Sequence, residues 1–405
     1  MLRIANCPET DTTIQLFIAT EGVGAEGLIS FPLQSISDIS FNLSRGVGEF
    51  FDLTLMALPG NSTGTVRRRE TSTVVVAAAA EIVVYGHVRC SHQLEGDPKR
   101  GSVRGTAFQM KRVGELGNNY SVVTFQKCGR SQLAIVAVEE KTVVEIQNND
   151  IDVLRNVSVT LQKYETYIIE GMFDMTGTHI SSSAPVFVLT GNDGDGIEQN
   201  TCSNSSSSNN TDKSVSSCDN GNDPFYECLI PYTHWGTRYF LFPLFDTSLP
   251  MVYKVLSPKR MNVTIRERQK DGKYSNSDLR TSKFIKKNII CSQTHSVVEI
   301  ESPEVMLVAQ FSAQKERSIS MLLATPSLQF TRKYTVFPVL NIRCVDDAAT
   351  HYISIILTTG VQTNVLYINN DSTSIWQKVG NFTDGSRVVR TILSPGSNLL
   401  ENRGL

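Results

Sequence analysis

The chain has 405 residues, and its 38 basic and 40 acidic side chains leave a formal net charge of −2. So balanced a charge excludes the electrostatic signature of a nucleic-acid-binding protein or of a protein drawn to anionic membranes. Hydrophobic residues make up 40% of the chain and aromatic residues 8%. This composition can build real cores, and the length fits two to four units of about 100 residues each.

The first segments are rich in glycine and in β-forming residues. Residues 22–27 have the glycine spacing of a dinucleotide site, but no helix follows whose N-terminus could bind a phosphate. We therefore interpret them as a hairpin loop. Arg67, Arg68 and Arg69 lie in a stretch rich in Gly, Thr and Asn, which predicts a solvated hairpin tip. A polyanion-binding or proteolytic site is the alternative.

A strand that opens on tyrosine recurs along the chain, at Tyr120, Tyr239 and Tyr334. The intervals are 119 (239 − 120) and 95 (334 − 239) residues, so the first interval carries 24 extra residues (119 − 95). Between Gly191 and Asp223 the sequence is dominated by Ser, Asn and Asp. We interpret this stretch as an insertion that accounts for the difference.

A Ser-Pro segment followed by an apolar run recurs at a similar distance after the tyrosine of each copy. We interpret it as a turn that launches a closing strand. Pro185 and Pro303 follow the tyrosine of their copy by 65 (185 − 120) and 64 (303 − 239) residues. The same phase places a closing strand near residue 399, shortly before the last residue, Leu405. This position and the lack of a signal-peptide pattern at the start predict a fragment of a longer protein.

The repeats predict an all-β chain built of tandem repeated β-sandwich-like units. Val, Ile, Thr and Tyr fill the periodic segments, and no stretch keeps apolar residues at helical spacing for three turns. We assign a first β unit to residues 1–115 and a second, with the Ser/Asn-rich insertion near 191–223, to residues 116–235. The third unit takes residues 236–330 and the fourth, truncated, residues 331–405.

Cysteines and sequons indicate an oxidising, extracellular compartment. Eight cysteines without Cys-x-x-Cys pairs predict disulfide bonds rather than metal sites. Proximity in sequence favours Cys90 with Cys128, Cys202 with Cys218 and Cys291 with Cys344, leaving Cys7 and Cys228. Nine Asn-x-Ser/Thr sequons are candidates for glycosylation: Asn42, Asn61, Asn119, Asn156, Asn204, Asn209, Asn262, Asn370 and Asn381.

Few residues suggest chemistry. Asn192, Asp193 and Asp195 place three oxygen-bearing side chains within a short Gly-rich segment, which suits Ca²⁺. A turn that enters the insertion is the alternative, and we predict no other cofactor. His179, which follows a Thr and precedes a closing strand, is expected to be a hydrogen-bonded part of the scaffold. No nucleophile elbow, zinc-binding helix or phosphate-binding loop is present, so we predict that the protein is not an enzyme.

Aromatic side chains concentrate in residues 225–239, which include Trp235 directly before the strand that opens at Tyr239. We interpret Trp235 as a plug in the seam between adjacent units. The alternative is an aromatic platform for a sugar or a peptide, because Trp and Tyr recur where one face is apolar and the edge is wet.

Three stretches together resemble the N-terminal domain of IgG Fc-binding proteins. They are Glu-x-Leu-x-Pro at residues 227–231 followed by Trp-Gly-Thr and a Tyr-led strand, residues 177–186, and residues 306–312. The resemblance extends from about Thr12 to the end, although the Ser/Asn-rich insertion interrupts the family pattern. It implies an extracellular β-rich module at the head of a large secreted protein; the mammalian namesake is a mucus protein that binds the Fc part of IgG.

We therefore expect a secreted or cell-surface module for recognition and adhesion. Its partner would be a glycoprotein, a mucin or a matrix component, bound by loops on a rigid sheet scaffold, with the insertion as the most variable loop. We expect no nucleic-acid partner and no membrane span in this chain. The alternatives are a hydrolase of extracellular glycans, since paired carboxylates need no local motif, and a purely structural spacer.

Overall fold

A computed structural model describes residues 7, 11–20, 23–53, 65–92, 102–126, 129–148, 151, 154–194, 223–244, 251–268, 272–281, 290–292, 296–315, 318–336, 351–371, 376–393 and 398–403. Over these residues the regular structure consists of β-strands and short 3-10 turns, which confirms the predicted all-β class. The 3-10 turns are Val113–Glu115, Tyr232–His234, Ser327–Gln329 and Thr363–Val365.

The strands fall into four groups, which we call units 1 to 4. Unit 1 contains β1 (Thr12–Ala19), β2 (Ala25–Ser30), β3 (Ile39–Leu43), β4 (Gly48–Asp52), β5 (Val66–Glu70), β6 (Val75–Ala78), β7 (Val83–His92) and β8 (Ser102–Gln109). Unit 2 contains β9 (Gly117–Ser121), β10 (Ser131–Ala137), β11 (Thr142–Gln147), β12 (Val157–Leu161), β13 (Thr166–Gly171), β14 (His179–Asn192) and β15 (Phe225–Cys228). Unit 3 contains β16 (Gly236–Leu241), β17 (Val252–Leu256), β18 (Asn262–Arg268), β19 (Tyr274–Arg280), β20 (Ile290–Cys291), β21 (Val297–Lys315) and β22 (Ser318–Leu323). Unit 4 contains β23 (Lys333–Val336), β24 (His351–Leu357), β25 (Leu366–Ile368), β26 (Gln377–Asn381), β27 (Arg387–Leu393) and β28 (Asn398–Asn402).

Units 2 and 3 have the same strand connectivity, and all their pairs are antiparallel. The order is β12-β11-β14-β10-β13 in unit 2, with β9 and β15 also on β14. The order is β19-β18-β21-β17-β20 in unit 3, with β16 and β22 also on β21. Each strand of unit 2 therefore has its counterpart in unit 3 in the same chain order, as a tandem repeat requires. The residue bounds predicted for the units stay a prediction.

The outer units are variants of this plan. In unit 1 the long strand is divided into β6, which pairs with β2, and β7, which pairs with β1 and β8. In unit 4 β28 pairs with β23 and β25, and β24 pairs with β27. A strand thus begins at Asn398, close to the position near residue 399 that the repeat predicts.

The recurring Ser-Pro segment is a bulge inside one long strand, so its interpretation as a turn is wrong. β14 runs through Ser182 and Pro185, and its pairing with β9 shifts register between Ser181 and Val186. Proline lacks the N–H that a ladder needs and is tolerated at a bulge. Because of the bulge, the first half of the long strand pairs with β11 while the second half pairs with β10.

A buried tyrosine hydroxyl ties each opening strand to this bulge. Tyr120 accepts a hydrogen bond from Gly117 N at 2.9 Å and donates one to Val186 O at 2.7 Å. In the next unit Tyr239 accepts from Gly236 N at 2.9 Å and donates to Met306 O at 2.5 Å. Val186 and Met306 are thus the equivalent positions.

The two prolines are therefore not equivalent. Pro185 lies one residue before Val186, whereas Pro303 lies three residues before Met306. In the third copy Thr331 N donates to the hydroxyl of Tyr334 at 3.0 Å, just as Gly117 N and Gly236 N donate to the hydroxyls of Tyr120 and Tyr239. The tyrosines therefore mark equivalent positions in successive units, and the prolines do not.

Apolar contacts continue from one unit to the next. One buried cluster joins the core of unit 2 to the outer face of unit 3, where the Phe311 ring lies 5.4 Å from Phe125 and 5.9 Å from Phe225. Units 3 and 4 meet at Phe240 and Phe382, whose ring centroids are 4.5 Å apart. Units 2 and 3, and units 3 and 4, therefore pack directly against each other through buried apolar side chains.

Candidate functional site

The aromatic segment before β16 is buried in the seam between units 2 and 3. Trp235 is 6% exposed, its Nε1 donates to Ile230 O at 3.2 Å, and its ring lies 4.3 Å from Tyr232. Tyr239 is fully buried. The Trp235 ring fills space between the units and the Tyr239 ring lies in the core of unit 3, so these two rings leave almost no face on which a sugar could stack.

His179 and Tyr232 join the end of unit 2 to its first strand. His179 Nδ1 lies 3.1 Å from the Tyr232 hydroxyl and 3.2 Å from Tyr120 O, and Ser121 Oγ lies 2.7 Å from the same hydroxyl. Burial raises the pKa of Tyr232 to about 12. A hydroxyl that keeps its proton and is hydrogen-bonded on both sides suits a scaffold better than a general acid or base.

Two of the three predicted calcium ligands bond to the backbone. Asn192 donates through Nδ2 to Phe125 O at 3.3 Å and accepts from Gly194 N at 2.9 Å. Asp193 accepts from Arg130 N at 2.7 Å. Asp195 lies outside the described residues, so the cation site stays a prediction. Nowhere in the described ranges do three His, Cys, Asp or Glu side chains come together as a metal site would require.

The predicted pairing of Cys90 with Cys128 is wrong, because Cys90 is bonded to Cys7. β1 pairs with β7 so that Thr12 lies opposite Cys90, which brings the N-terminal segment to this strand. Sequence proximity missed the bond because antiparallel pairing joins residues 83 positions apart.

The other cysteines divide into three cases. Cys228 is a free, buried thiol, and burial raises its pKa well above the ordinary value. Cys291 is disulfide-bonded. Outside the described residues lie Cys128, Cys202, Cys218 and Cys344. The predicted bonds of Cys202 with Cys218 and of Cys291 with Cys344 therefore stay predictions.

Most of the sequon asparagines that the structure describes lie at the surface. Those with exposed side chains are Asn42, Asn119, Asn156, Asn262 and Asn370. Asn381 is half-buried, and its Oδ1 has no hydrogen-bond partner within the part of the chain that the structure describes. The sequons at Asn61, Asn204 and Asn209 lie outside the described residues. Exposure is what glycosylation needs, and its occurrence stays a prediction.

Charged groups that the sequence reasoning did not single out lie in the seams. Lys254 is 2% exposed, and its Nζ donates to Thr124 O at 2.7 Å, Asp174 Oδ2 at 2.6 Å and Thr176 Oγ1 at 2.9 Å. Three acceptors match the three N–H groups of an ammonium, which is how a buried lysine keeps its charge. The contacts bind unit 3 to unit 2.

A second ionic cluster joins units 3 and 4. Glu299 is 1% exposed and accepts from Arg238 at 2.6 Å and from Arg266 at 3.3 Å. Arg238 also reaches Asp384 of unit 4 at 2.8 Å, and the hydroxyl of Thr383 donates to Glu299. The Glu299 carboxylate accepts hydrogen bonds from two arginines and a threonine. These contacts connect units 3 and 4, and they suit a structural role better than that of a catalytic base.

The buried polar groups at Tyr232, Lys254 and Glu299 therefore serve the scaffold, because each is hydrogen-bonded to neighbouring strands or units. No helix in the described part of the chain has the length and apolar character of a membrane span. A protein-family model described as IgGFc binding protein matches residues 106–404. A search of curated proteins gave no match.

Proposed function

Because this chain belongs to the IgGFc binding protein family, we propose that it is an extracellular recognition module that binds a glycoprotein, a mucin or a matrix component. The family match carries the proposal. The Cys7–Cys90 bond and the exposed sequons support an oxidising, extracellular setting.

We assign partner binding to the loops, because residues of the three stretches that resemble the family have structural roles in the fold. Trp235 fills a seam, Gly177 turns the chain with a φ of 85°, and Met306 O accepts the Tyr239 hydroxyl. Loops positioned by rigid strands are where recognition usually resides. The role of the Ser/Asn-rich insertion in binding is proposed from its sequence alone, because residues 195–222 lie outside the described part of the chain.

A binding array tests the proposal. The recombinant chain is applied to mucins, extracellular glycoproteins, matrix proteins, isolated glycans and IgG Fc, with and without a chelator. We expect saturable binding to at least one glycoprotein class. Silence across every protein and mucin would refute the recognition function, and loss of binding on chelation would support the cation site at Asn192 and Asp193.

A structural spacer is the second candidate, and the shared core of units 2 and 3 favours it. Phe311 of unit 3 lies within the same buried cluster as Phe125 and Phe225 of unit 2, so apolar contacts join these units. A spacer would give a silent array together with a single cooperative unfolding transition. A recognition module would give a positive array.

A further inference from the structure

Strand β5 forms the edge of the eight-stranded sheet and places arginines there. The sheet order ends β10-β13-β5, and within the described residues β5 pairs with β13 alone. Arg67, Arg68 and Arg69 lie inside this strand, so their interpretation as a hairpin tip is wrong. An edge strand leaves alternate backbone N–H and C=O groups unpaired and can serve as a template for a further strand.

This edge is held firmly in place. Arg68 of β5 makes a forked contact with the two carboxylate oxygens of Glu170, at 3.1 and 3.2 Å, and Glu170 is fully buried. Thr73, just after β5, donates to Tyr164 O at 2.6 Å. Bidentate arginine–carboxylate pairs fix geometry as well as contributing energy. A partner strand would therefore meet an edge that is already ordered.

The two neighbouring arginines are free to meet a partner. Arg67 and Arg69 are exposed, and in the described part of the chain neither makes an ion pair or a side-chain hydrogen bond. Alternate residues of a strand project from the same face, about 7 Å apart. An added strand with the same alternation would set its own side chains directly opposite both guanidinium groups.

We propose that the free edge of β5 binds an extended acidic peptide segment, which adds to the sheet as a strand and places carboxylates opposite Arg67 and Arg69. Main-chain hydrogen bonds give such a complex its affinity, and alternate side chains give it specificity. β5 is itself a precedent, because it leaves unit 1 to add to β13 of unit 2. A sulfated glycan fits less well, since it cannot continue the backbone ladder.

This inference rests on the proposed function and deepens it. It names an acidic, extended stretch of a partner protein as the element recognised at one surface. The loops and the insertion are a separate surface, so the two can be tested apart.

The test uses the whole chain and three short synthetic peptides. One alternates Glu with Val, the second has Lys in place of Glu, and the third is the acidic peptide with alternate backbone nitrogens methylated. Fluorescence anisotropy measures binding, and hydrogen exchange follows the amides of β5. We expect saturable binding of the unmodified acidic peptide alone, with slower exchange in β5.

Variants localise the binding. The double variant Arg67→Gln with Arg69→Gln should bind the acidic peptide about tenfold more weakly, because two opposite-charge cross-strand pairs are lost. Arg280→Gln is the matched control, since Arg280 is an exposed arginine at the end of β19, the edge strand of the other large sheet. Its affinity for the peptide should equal that of the unmodified chain.

Several results would overturn the inference. Equal binding of the methylated peptide would indicate attraction by charge without strand addition. Unchanged affinity in the double variant, binding of a sulfated glycan but of no peptide, or silence with all three peptides would each refute it. A chain that binds glycoproteins on the array but ignores the acidic peptide keeps the proposed function and loses only this inference.

Discussion

At the scale of single residues, the buried hydroxyls and charges decide how the strands meet. The hydroxyls of Tyr120 and Tyr239 each accept a hydrogen bond from a backbone amide of the opening strand and donate one to a backbone carbonyl of the long strand. These bonds lie at the bulge, where the ladder between the two strands is interrupted. A buried polar group without a partner costs free energy, so a bulge of this kind needs such a side chain. The recurrence of the tyrosine therefore reflects the hydrogen bonds that it makes, as well as the strand that it opens.

Removal of the Tyr239 hydroxyl should destabilise the protein. We expect Tyr239→Phe to lower the free energy of unfolding by about 1.5 kcal/mol, because Gly236 N and Met306 O lose their partner in a buried site. Denaturant unfolding measures the change. Tyr352→Phe is the control, since Tyr352 is 59% exposed, and an effect of the same size there would argue against the hydrogen-bond explanation.

His87 should make stability depend on pH. It is 3% exposed, and among the described residues neither ring nitrogen has a hydrogen-bond partner. Burial, with a smaller contribution from the charge of Arg89, lowers its pKa below the ordinary 6.5. The unfolded chain therefore takes up a proton at a higher pH than the folded chain does, and stability falls as the pH drops below about 6.5.

The substitution His87→Leu removes this source of acid sensitivity. Unfolding measured between about pH 7.5 and pH 5 should show a shallower loss of stability in the variant than in the unmodified chain. Identical slopes in the two proteins would mean that His87 is not the group responsible.

At the scale of elements, two of the 3-10 turns pack against the opening strand of the unit that they end: Tyr232–His234 against β9, and Ser327–Gln329 against β16. A Cβ on Gly236 would lie 2.3 Å from Pro326 Cβ, and one on Gly117 would lie 2.6 Å from Pro231 Cβ. The prolines immediately precede the turns Ser327–Gln329 and Tyr232–His234, so the same close contact recurs at successive seams. The absence of a side chain at these glycines lets the opening strand of a unit lie directly against the proline at the end of the same unit.

Filling this contact should loosen the seam. Gly236→Ala is expected to cost about 2 kcal/mol of unfolding free energy, because the proline ring cannot move aside as a flexible side chain would. Gly114→Ala is the matched control, since a Cβ there meets nothing within 4 Å. Equal melting temperatures of the two variants would contradict the packing argument.

The element scale also shows what the sequence could predict. The alternation of apolar and polar residues in Thr142–Gln147 is the pattern of a half-buried strand, and the tyrosines located the repeats. The bulge at Ser182 and Pro185 was not predictable, because Ser and Pro are equally typical of turns. Lys254 did leave a signal, since a lysine inside the otherwise apolar run of β17 needs buried acceptors.

At the scale of the whole molecule, long-range pairing brings together residues that no local pattern connects. The strands β1 and β7 place the N-terminal segment beside Cys90, and β5 crosses from unit 1 to unit 2. Both contacts depend on sheet topology, which spacing along the chain does not encode. The sequence therefore predicted the class of the fold and its repetition, but not which distant segments meet.

The Cys7–Cys90 bond should stabilise the whole chain substantially. It closes a loop with a sequence separation of 83 residues, and the loss of chain entropy in the unfolded state corresponds to about 4.5 kcal/mol. We expect the double variant Cys7→Ala with Cys90→Ala to unfold at lower denaturant than the oxidised chain. If the two proteins unfold together, this bond contributes no stability.

The central claim is that the family signature builds the scaffold while loops bind the partner. The most direct measurement compares affinities for the glycoprotein found on the array, in a folded Tyr239→Phe variant and in a chain whose residues 195–222 are replaced by a short Gly-Ser linker. The account predicts unchanged affinity in the first and a large loss in the second. Loss of binding in the folded Tyr239→Phe variant, with full binding by the linker variant, would contradict it.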